Sequence, residues 1–164
     1  LFETAMSLPT AAIFVDVQNI YYTTRQAFAR QFNYRQFWQQ ISHEFQIEHA
    51  FAYAIDRSDD GRRKFHDALR HIGFDVKLKP FIQRSDGSAK GDWDVGICVD
   101  VMMHAPNVDR VVLLSGDGDF DILLNTVREH YAAPSVVYGV KRLTADSLVR
   151  AADEYREIEP RDLL

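Results

Sequence analysis

One cysteine in 164 residues, Cys98, excludes both an internal disulfide framework and a cysteine-rich zinc site. A reducing compartment fits such a chain, and a cytoplasmic protein is the expectation. No apolar run approaches the ~20 residues of a membrane-spanning helix. Residues 1–8 carry no basic stretch followed by an apolar one, so no secretory signal is expected. Internal repeats and low-complexity segments are absent as well. So are two phosphate-binding loops: Gly116-x-Gly118 has no glycine at position 121, and Gly-x-x-x-x-Gly-Lys does not occur. What remains is 46% apolar and 26% charged, which a globular core requires and a disordered chain lacks. The length suits one domain, expected over residues 11–158, with 1–10 as an N-terminal extension and 159–164 as a C-terminal tail.

The net charge of −5 is unevenly spread. Residues 86–121 hold eight aspartates, no glutamate, and only Lys90 and Arg110 against them, while the remaining chain is nearly balanced. Short carboxylates grouped in this way suggest magnesium, which prefers hard oxygen ligands. Some of them serve instead as helix caps and turn residues.

Residues 11–17 form an apolar run broken only by Asp16, the mark of a strand buried on both faces. Further such runs lie at Ala50–Ile55, Phe74–Leu78, Arg110–Leu114 and Ser135–Val140. Helices are expected between them, over Tyr34–Phe45, Asp59–Ile72 with Gly73 as its stop, Asp92–His104, Asp119–Tyr131 and Ala145–Ala152. Val95, Val99 and Met102 on the third of these, and Ile122, Leu123, Val127 and Tyr131 on the fourth, are expected to pack on the sheet. Tyr155–Ile158 would add an edge strand, and Pro80–Ala89 reads as a mobile loop. Strands alternating with helices imply a three-layer α/β/α sandwich around a mostly parallel, doubly wound sheet.

In open α/β sheets, sites form outside the carboxyl ends of the strands. Asp16 and Asn19 end the first strand, Asp56 ends the second, and Ser115-Gly116-Asp117-Gly118-Asp119 follows the strand beginning at Arg110. If those first and fourth strands are neighbours, Asp16, Asp117 and Asp119 converge, and converging carboxylates repel unless a cation stands among them. The helix near Asp92 can add a fourth acid. Asp92 and Asp94 lie about 200° apart around a helix and cannot both face one site. Asp92 is the better cap and Asp94 the better ligand, though the assignment stays open. Asp100 and Asp121, deeper in their helices, suit salt bridges or supporting roles.

Three strings carry a resemblance. Phe14-Val15-Asp16-Val17-Gln18-Asn19, then Lys90-Gly91-Asp92-Trp93-Asp94-Val95 with Asp100, then Leu114-Ser115-Gly116-Asp117-Gly118-Asp119-Phe120 resemble the NYN domain, in particular the LabA-like branch of the PIN-like nuclease superfamily. The resemblance spans about Ala11 to Ile158. It implies a PIN-like sandwich and, for active members, metal-dependent cleavage of RNA. By position it makes Asp16, Asp94, Asp117 and Asp119 the acidic Mg²⁺ (or Mn²⁺) cluster, with Asn19, Ser115, Asp92 and Lys90 in support. One ion or two fit these residues equally.

An acidic site that acts on a polyanion needs basic groups around it. Arg57, Arg62, Arg63 and Lys64 follow the second strand, and Lys77, Lys79, Arg84 and Lys90 flank the loop containing Phe81. Tyr21, Tyr22, Phe81 and Trp93 are candidates for stacking on unpaired bases, against the background that most aromatics are core. The expected partner is RNA, single-stranded; a homodimer is compatible with the chain but demanded by no residue.

Other chemistries fit less well. Gly116-Asp117-Gly118-Asp119-Phe120-Asp121 matches the Gly-Asp-x-x-x-Asp motif of haloacid-dehalogenase-like phosphatases, yet their second aspartate is replaced by Gln18, two residues after Asp16. Ser115 as a nucleophile lacks an identifiable histidine. His66 and His71 are five apart, which is not a helical zinc pair, and read as packing or surface residues. Cys98, mid-helix, reads as a buried inert thiol. A non-catalytic PIN-like module that binds RNA or protein is the remaining alternative, and the retained four aspartates speak against it.

Overall fold

The computed structural model describes residues 7–57, 59–80, 82–83 and 89–164. Eight strands are described: β1 (Thr10–Asp16), β2 (Gln46–Asp56), β3 (Asp75–Pro80), β4 (Ile82–Gln83), β5 (Ala89–Lys90), β6 (Arg110–Leu114), β7 (Ser135–Gly139) and β8 (Glu154–Glu157). Six helices accompany them: α1 (Val17–Phe28), α2 (Tyr34–Glu44), α3 (Asp60–Ile72), α4 (Asp94–His104), α5 (Asp121–Tyr131) and α6 (Asp146–Ala151). β4 and β5 form a separate antiparallel pair, while the main sheet runs β3-β2-β1-β6-β7-β8 with every pairing parallel. This is the three-layer α/β/α sandwich expected from the alternation of strands and helices. Arg84, Phe81 and most of the stretch expected as a mobile loop lie outside the described residues.

Both faces of β1 are sealed, which explains why its run lacks alternation. Ala11, Ile13 and Val15 face the layer of α1, α2 and α3, together with Ile20, Ile41 and Leu69. Ala12 and Phe14 face the layer of α4, α5 and α6, together with Ile97, Val101, Leu124 and Leu148. The chain steps outward from β1 to β3, then returns to place β6 on the other side of β1. The β1/β6 seam is therefore the point where strand order reverses, and loops leaving it diverge into a crevice.

Three expectations need correction. The strand read over 11–17 ends at Asp16, and Val17 opens α1, a helix that apolar spacing alone does not announce. Tyr21, Tyr22, Thr23 and Thr24 are indifferent helix formers. The threonine hydroxyls settle by donating to Asn19 O and Ile20 O, at 2.8 and 2.7 Å.

The second correction concerns α4, which is turned about its axis relative to the expectation. Ile97 and Val101 are the buried positions, whereas Val95 is 74% and Val99 51% exposed; only Met102 packs partly against the core. The helix is apolar nearly all round, so its hydrophobic spacing cannot orient it. Asp94 does, because bringing its carboxylate to the β1/β6 crevice puts Ile97 and Val101, three and seven residues on, over the sheet. The third concerns α5, on which Leu123 and Val127 are buried as expected but Ile122 and Tyr131 face solvent. Val99→Ser should accordingly change stability by no more than about 0.5 kcal/mol, while Val101→Ser should cost roughly 2–3 kcal/mol; urea denaturation of both variants reads this difference.

Residues 159–164 are held against the body. Phe32 and Leu163 form an isolated antiparallel bridge, Leu163 is buried, and Arg30 donates to the Leu163 and Leu164 carbonyls. Among the described residues no helix is long and apolar enough to cross a membrane.

Candidate metal centre

Parallel register sets the site. Val15 is paired with Leu114, so the next residues, Asp16 and Ser115, leave the sheet level with one another. The buried Ser115 hydroxyl donates to Asp16 Oδ2 at 3.0 Å and accepts the Asp117 backbone N–H at 3.1 Å. Asn19, on the first turn of α1, accepts the Gly116 N–H at 2.8 Å through its Oδ1. Two polar side chains thus tie the β6 loop to the β1 loop. Gly116 has to be glycine, since a Cβ there would stand 2.8 Å from the Leu143 carbonyl oxygen. Asp16 also caps α1, accepting from Asn19 N.

Asp16, Asp94 and Asp117 meet here, with one carboxylate oxygen of each within 4.8 Å of the others. Asp92, the expected cap of α4, lies instead on the loop before it, because the helix begins at Asp94 and its cap is Trp93. Asp94 joins the group, while the exposed Asp92 accepts the Asp94 N–H at 3.1 Å and so steadies the start of α4. Asp119 is not part of the three. It lies exposed on the short 3₁₀ turn Gly118–Phe120, donating its N–H to Asp117 Oδ1 at 2.9 Å.

The electrostatics are those of carboxylates crowded together and partly buried. Burial is the main reason that Asp16 is pushed up to about 6; hydrogen bonds from Ser115 and Asn19 oppose it, and the charges of Asp117 and Asp92 add to it. Asp94 is likewise held well above the usual carboxylate range, first by burial and then by Asp117 beside it. Three carboxylates with no basic partner among the described residues form an all-oxygen donor set, which suits Mg²⁺ or Mn²⁺ and gives a soft metal nothing to bind. Cys98, half-buried on α4, is pushed up by burial and by the charges of Asp94 and Asp117, the opposite of a reactive thiolate.

The remaining candidates divide. Arg57 and Arg62 border a cavity beside the triad, and Arg62 pairs with Asp59, the α3 cap, at 3.5 Å. Arg63 and Lys64 are exposed on the same helix. Tyr22 is 52% exposed at the cavity mouth, in edge contact with Tyr21. Trp93 is structural: its indole N–H donates to Ala54 O at 2.8 Å and its ring lies against Tyr53. Lys77 is committed to Asp100 at 2.6 Å, with Tyr53 donating to the same oxygen, and Lys79 donates to Asp92 O. Lys90 is placed by its backbone in β5, and its side chain, like Arg84, is outside the described residues. Asp121 accepts from Ile122 N at the start of α5 and takes no part in the triad. Tyr34, which no motif singles out, and His66, expected as a packing or surface residue, both line the cavity, and no motif marks a hollow formed between three helices.

A six-stranded parallel sheet with an acidic triad at its switch point defines a PIN-like α/β domain. The NYN-domain family model matches residues 10–159, and the chain belongs to that family. It is 29% identical over 155 residues to the low amplitude and bright protein LabA of Synechococcus elongatus, covering 90% of this chain and 82% of LabA. A solved Vibrio parahaemolyticus protein of unknown function is 49% identical, with a TM-score of 0.92 over 98% of this chain and 99% of that one.

Proposed function

We propose that this protein is a metal-dependent ribonuclease that hydrolyses phosphodiester bonds in single-stranded RNA, working in the cytoplasm. The observation that carries the reading is the convergence of Asp16, Asp94 and Asp117 within 4.8 Å at the sheet's switch point, in a chain of the NYN family. Those three carboxylates would hold Mg²⁺ or Mn²⁺, which when bound supplies Lewis-acid polarisation of a phosphoryl oxygen and acidifies water.

The chain's own groups do the rest. Ser115 and Asn19 keep Asp16 and Asp117 at one place by fastening the β6 loop to β1, while Asp94 is brought to them by the first turn of α4, so the donor set is preorganised. Asp119, in this reading, is a rim carboxylate available to entering water. Asp92 adds negative charge and fixes the first turn of α4. Arg57, Arg62, Arg63 and Lys64 offset the acidity of the centre and hold the strand's phosphates at its side. A haloacid-dehalogenase-like phosphatase would need a second acid at Gln18, and that side chain instead lines the neighbouring cavity.

Incubation of a labelled single-stranded RNA with Mg²⁺, Mn²⁺ or EDTA, beside a phosphomonoester, tests the reading. Cutting with metal and none in EDTA is expected; phosphate released from the monoester with RNA left whole would move the assignment to the phosphatase. Replacing Arg62, Arg63 and Lys64 together by alanine should weaken RNA binding about ten-fold at 50 mM salt and flatten the log K against log[salt] slope by about 2. An unchanged slope would remove this stretch from the binding surface.

A further inference from the structure

Beside the acidic triad lies a feature that hydrolysis does not use. Where β1 and β2 end, α1, α3 and the start of α2 enclose a cavity of about 310 Å³, large enough for a small flat ligand. Val17, Ile20, Ala54, Ile55 and Phe65 give it an apolar wall. Val17 and Gln18 directly follow Asp16, so this hollow and the carboxylates share one corner of the sheet.

Two polar side chains are set into the apolar wall. Tyr34 is 8% and His66 4% exposed, and neither the hydroxyl nor the imidazole hydrogen-bonds to any other described residue. No polar side-chain atom among the described residues is sealed off without a partner, so these groups are reached from the cavity itself. Burial lowers the His66 pKa and raises that of Tyr34, leaving both neutral near pH 7. The imidazole then offers one donor and one acceptor, and the phenol one of each. Arg57, Arg62 and the exposed Tyr22 stand around the same space.

We infer that this cavity receives one unpaired nucleobase of the RNA strand whose phosphodiester lies at the triad. The assignment of the strand rests on the nuclease reading above; the fit to a base rests on the cavity. A base has two apolar faces for Phe65 and the aliphatic wall, and an edge of donors and acceptors for Tyr34 and His66. Its flanking phosphates carry the charge that Arg57 and Arg62 match. An apolar ligand would leave the two buried polar groups unserved, and a paired base would first have to be unstacked and unpaired, a cost that an unpaired base does not carry. The cavity therefore selects single strands, and it places the cut at a fixed distance from the captured base.

Gly61 supplies the test. It lines the cavity on the first turn of α3, and a Cβ there meets only Asp59 Oδ1, at 3.5 Å, so a side chain can be added without touching the triad. Gly61→Trp and Tyr34→Phe are compared with the parent in EDTA, using a single-stranded octaribonucleotide carrying 2-aminopurine. Metal-dependent hydrolysis of bis(p-nitrophenyl) phosphate, which has no base, serves as the control. Gly61→Trp should weaken RNA binding about ten-fold or more and abolish 2-aminopurine quenching, with the salt slope and the control hydrolysis unchanged. Tyr34→Phe should change the ranking of oligo-A, oligo-C, oligo-G and oligo-U while still quenching.

Binding and quenching by Gly61→Trp equal to the parent's would overturn the inference, as would a parent that neither binds nor quenches. Free AMP binding as tightly as the octamer would also overturn it, since the occupant would then be a nucleotide and not a strand. A parent that captures the base but hydrolyses neither RNA nor the control keeps the cavity and ends the nuclease reading. A parent that cuts RNA while Gly61→Trp cuts equally well does the reverse.

Discussion

Asp117→Asn should lower metal-dependent RNA cleavage by about a thousand-fold or more, the equivalent of removing roughly 4 kcal/mol of charge stabilisation from the transition state. The fold should survive. Asparagine keeps the oxygen that accepts the Asp119 N–H, and the Asp117 backbone N–H still donates to Ser115. Removing one of three mutually repelling carboxylates should instead raise the Tm in EDTA by a few degrees, because that charge lifts both Asp16 and Asp94. Added Mg²⁺ should raise the parent's Tm further than the variant's. Initial rates together with thermal melts, with and without metal, decide the matter. A variant that cuts as fast as the parent would remove Asp117 from the site, and one that melts lower in EDTA would show that it is a structural residue.

The second large effect is on stability against pH. A carboxyl whose folded-state pKa lies above its unfolded value binds more protons folded than unfolded, so stability falls as pH rises between the two values. For Asp16 that window runs from its ordinary 3.8 to about 6. Its protonated form is retained in full below pH 4, and the contribution is lost by about pH 7. The shift of about two units corresponds to about 3 kcal/mol. Asp16→Asn keeps a side-chain oxygen for the α1 cap and does not ionise. In EDTA the variant should match the parent near pH 4 and exceed it by about 2–3 kcal/mol at pH 8, measured by urea denaturation at each pH. Parallel curves for parent and variant would mean that Asp16 ionises without strain. Saturating Mg²⁺ should close the gap from the parent's side, since a cation replaces the proton as the neutralising charge.

The acids of the site were legible because each follows a strand. Asp16 and Ser115-Gly116-Asp117 end runs of β-branched and aliphatic residues, and in a parallel sheet all such ends lie at one edge. Which strand neighbours which could not be read in the same way: Asp16 and Asp117 meet only because β6 pairs with β1, Ala11 lying opposite Arg110, 99 residues further along the chain. The choice between Asp92 and Asp94 stayed open in the sequence and was decided by where α4 starts, at Asp94 after Trp93, whereas Asp119 looked equivalent to Asp117 and lies instead on an exposed turn. Two residues of spacing are within the reach of a loop, and a loop's path is set by what it packs against.

The sequence by itself determined the class of fold, the edge of the sheet where the acids gather, and the oxygen-only character of the candidate donor set, because these depend on local periodicity and residue type. Only tertiary structure decided the rotation of α4, since a helix apolar on all sides has no preferred face until Asp94 is drawn to the crevice. It alone created the cavity lined by Tyr34, Gly61 and His66, which belong to two helices and come together only when both lie across the same strands. Periodicity reports which face of an element is buried; a hollow between elements is a property of the packing, and no single stretch of chain encodes it.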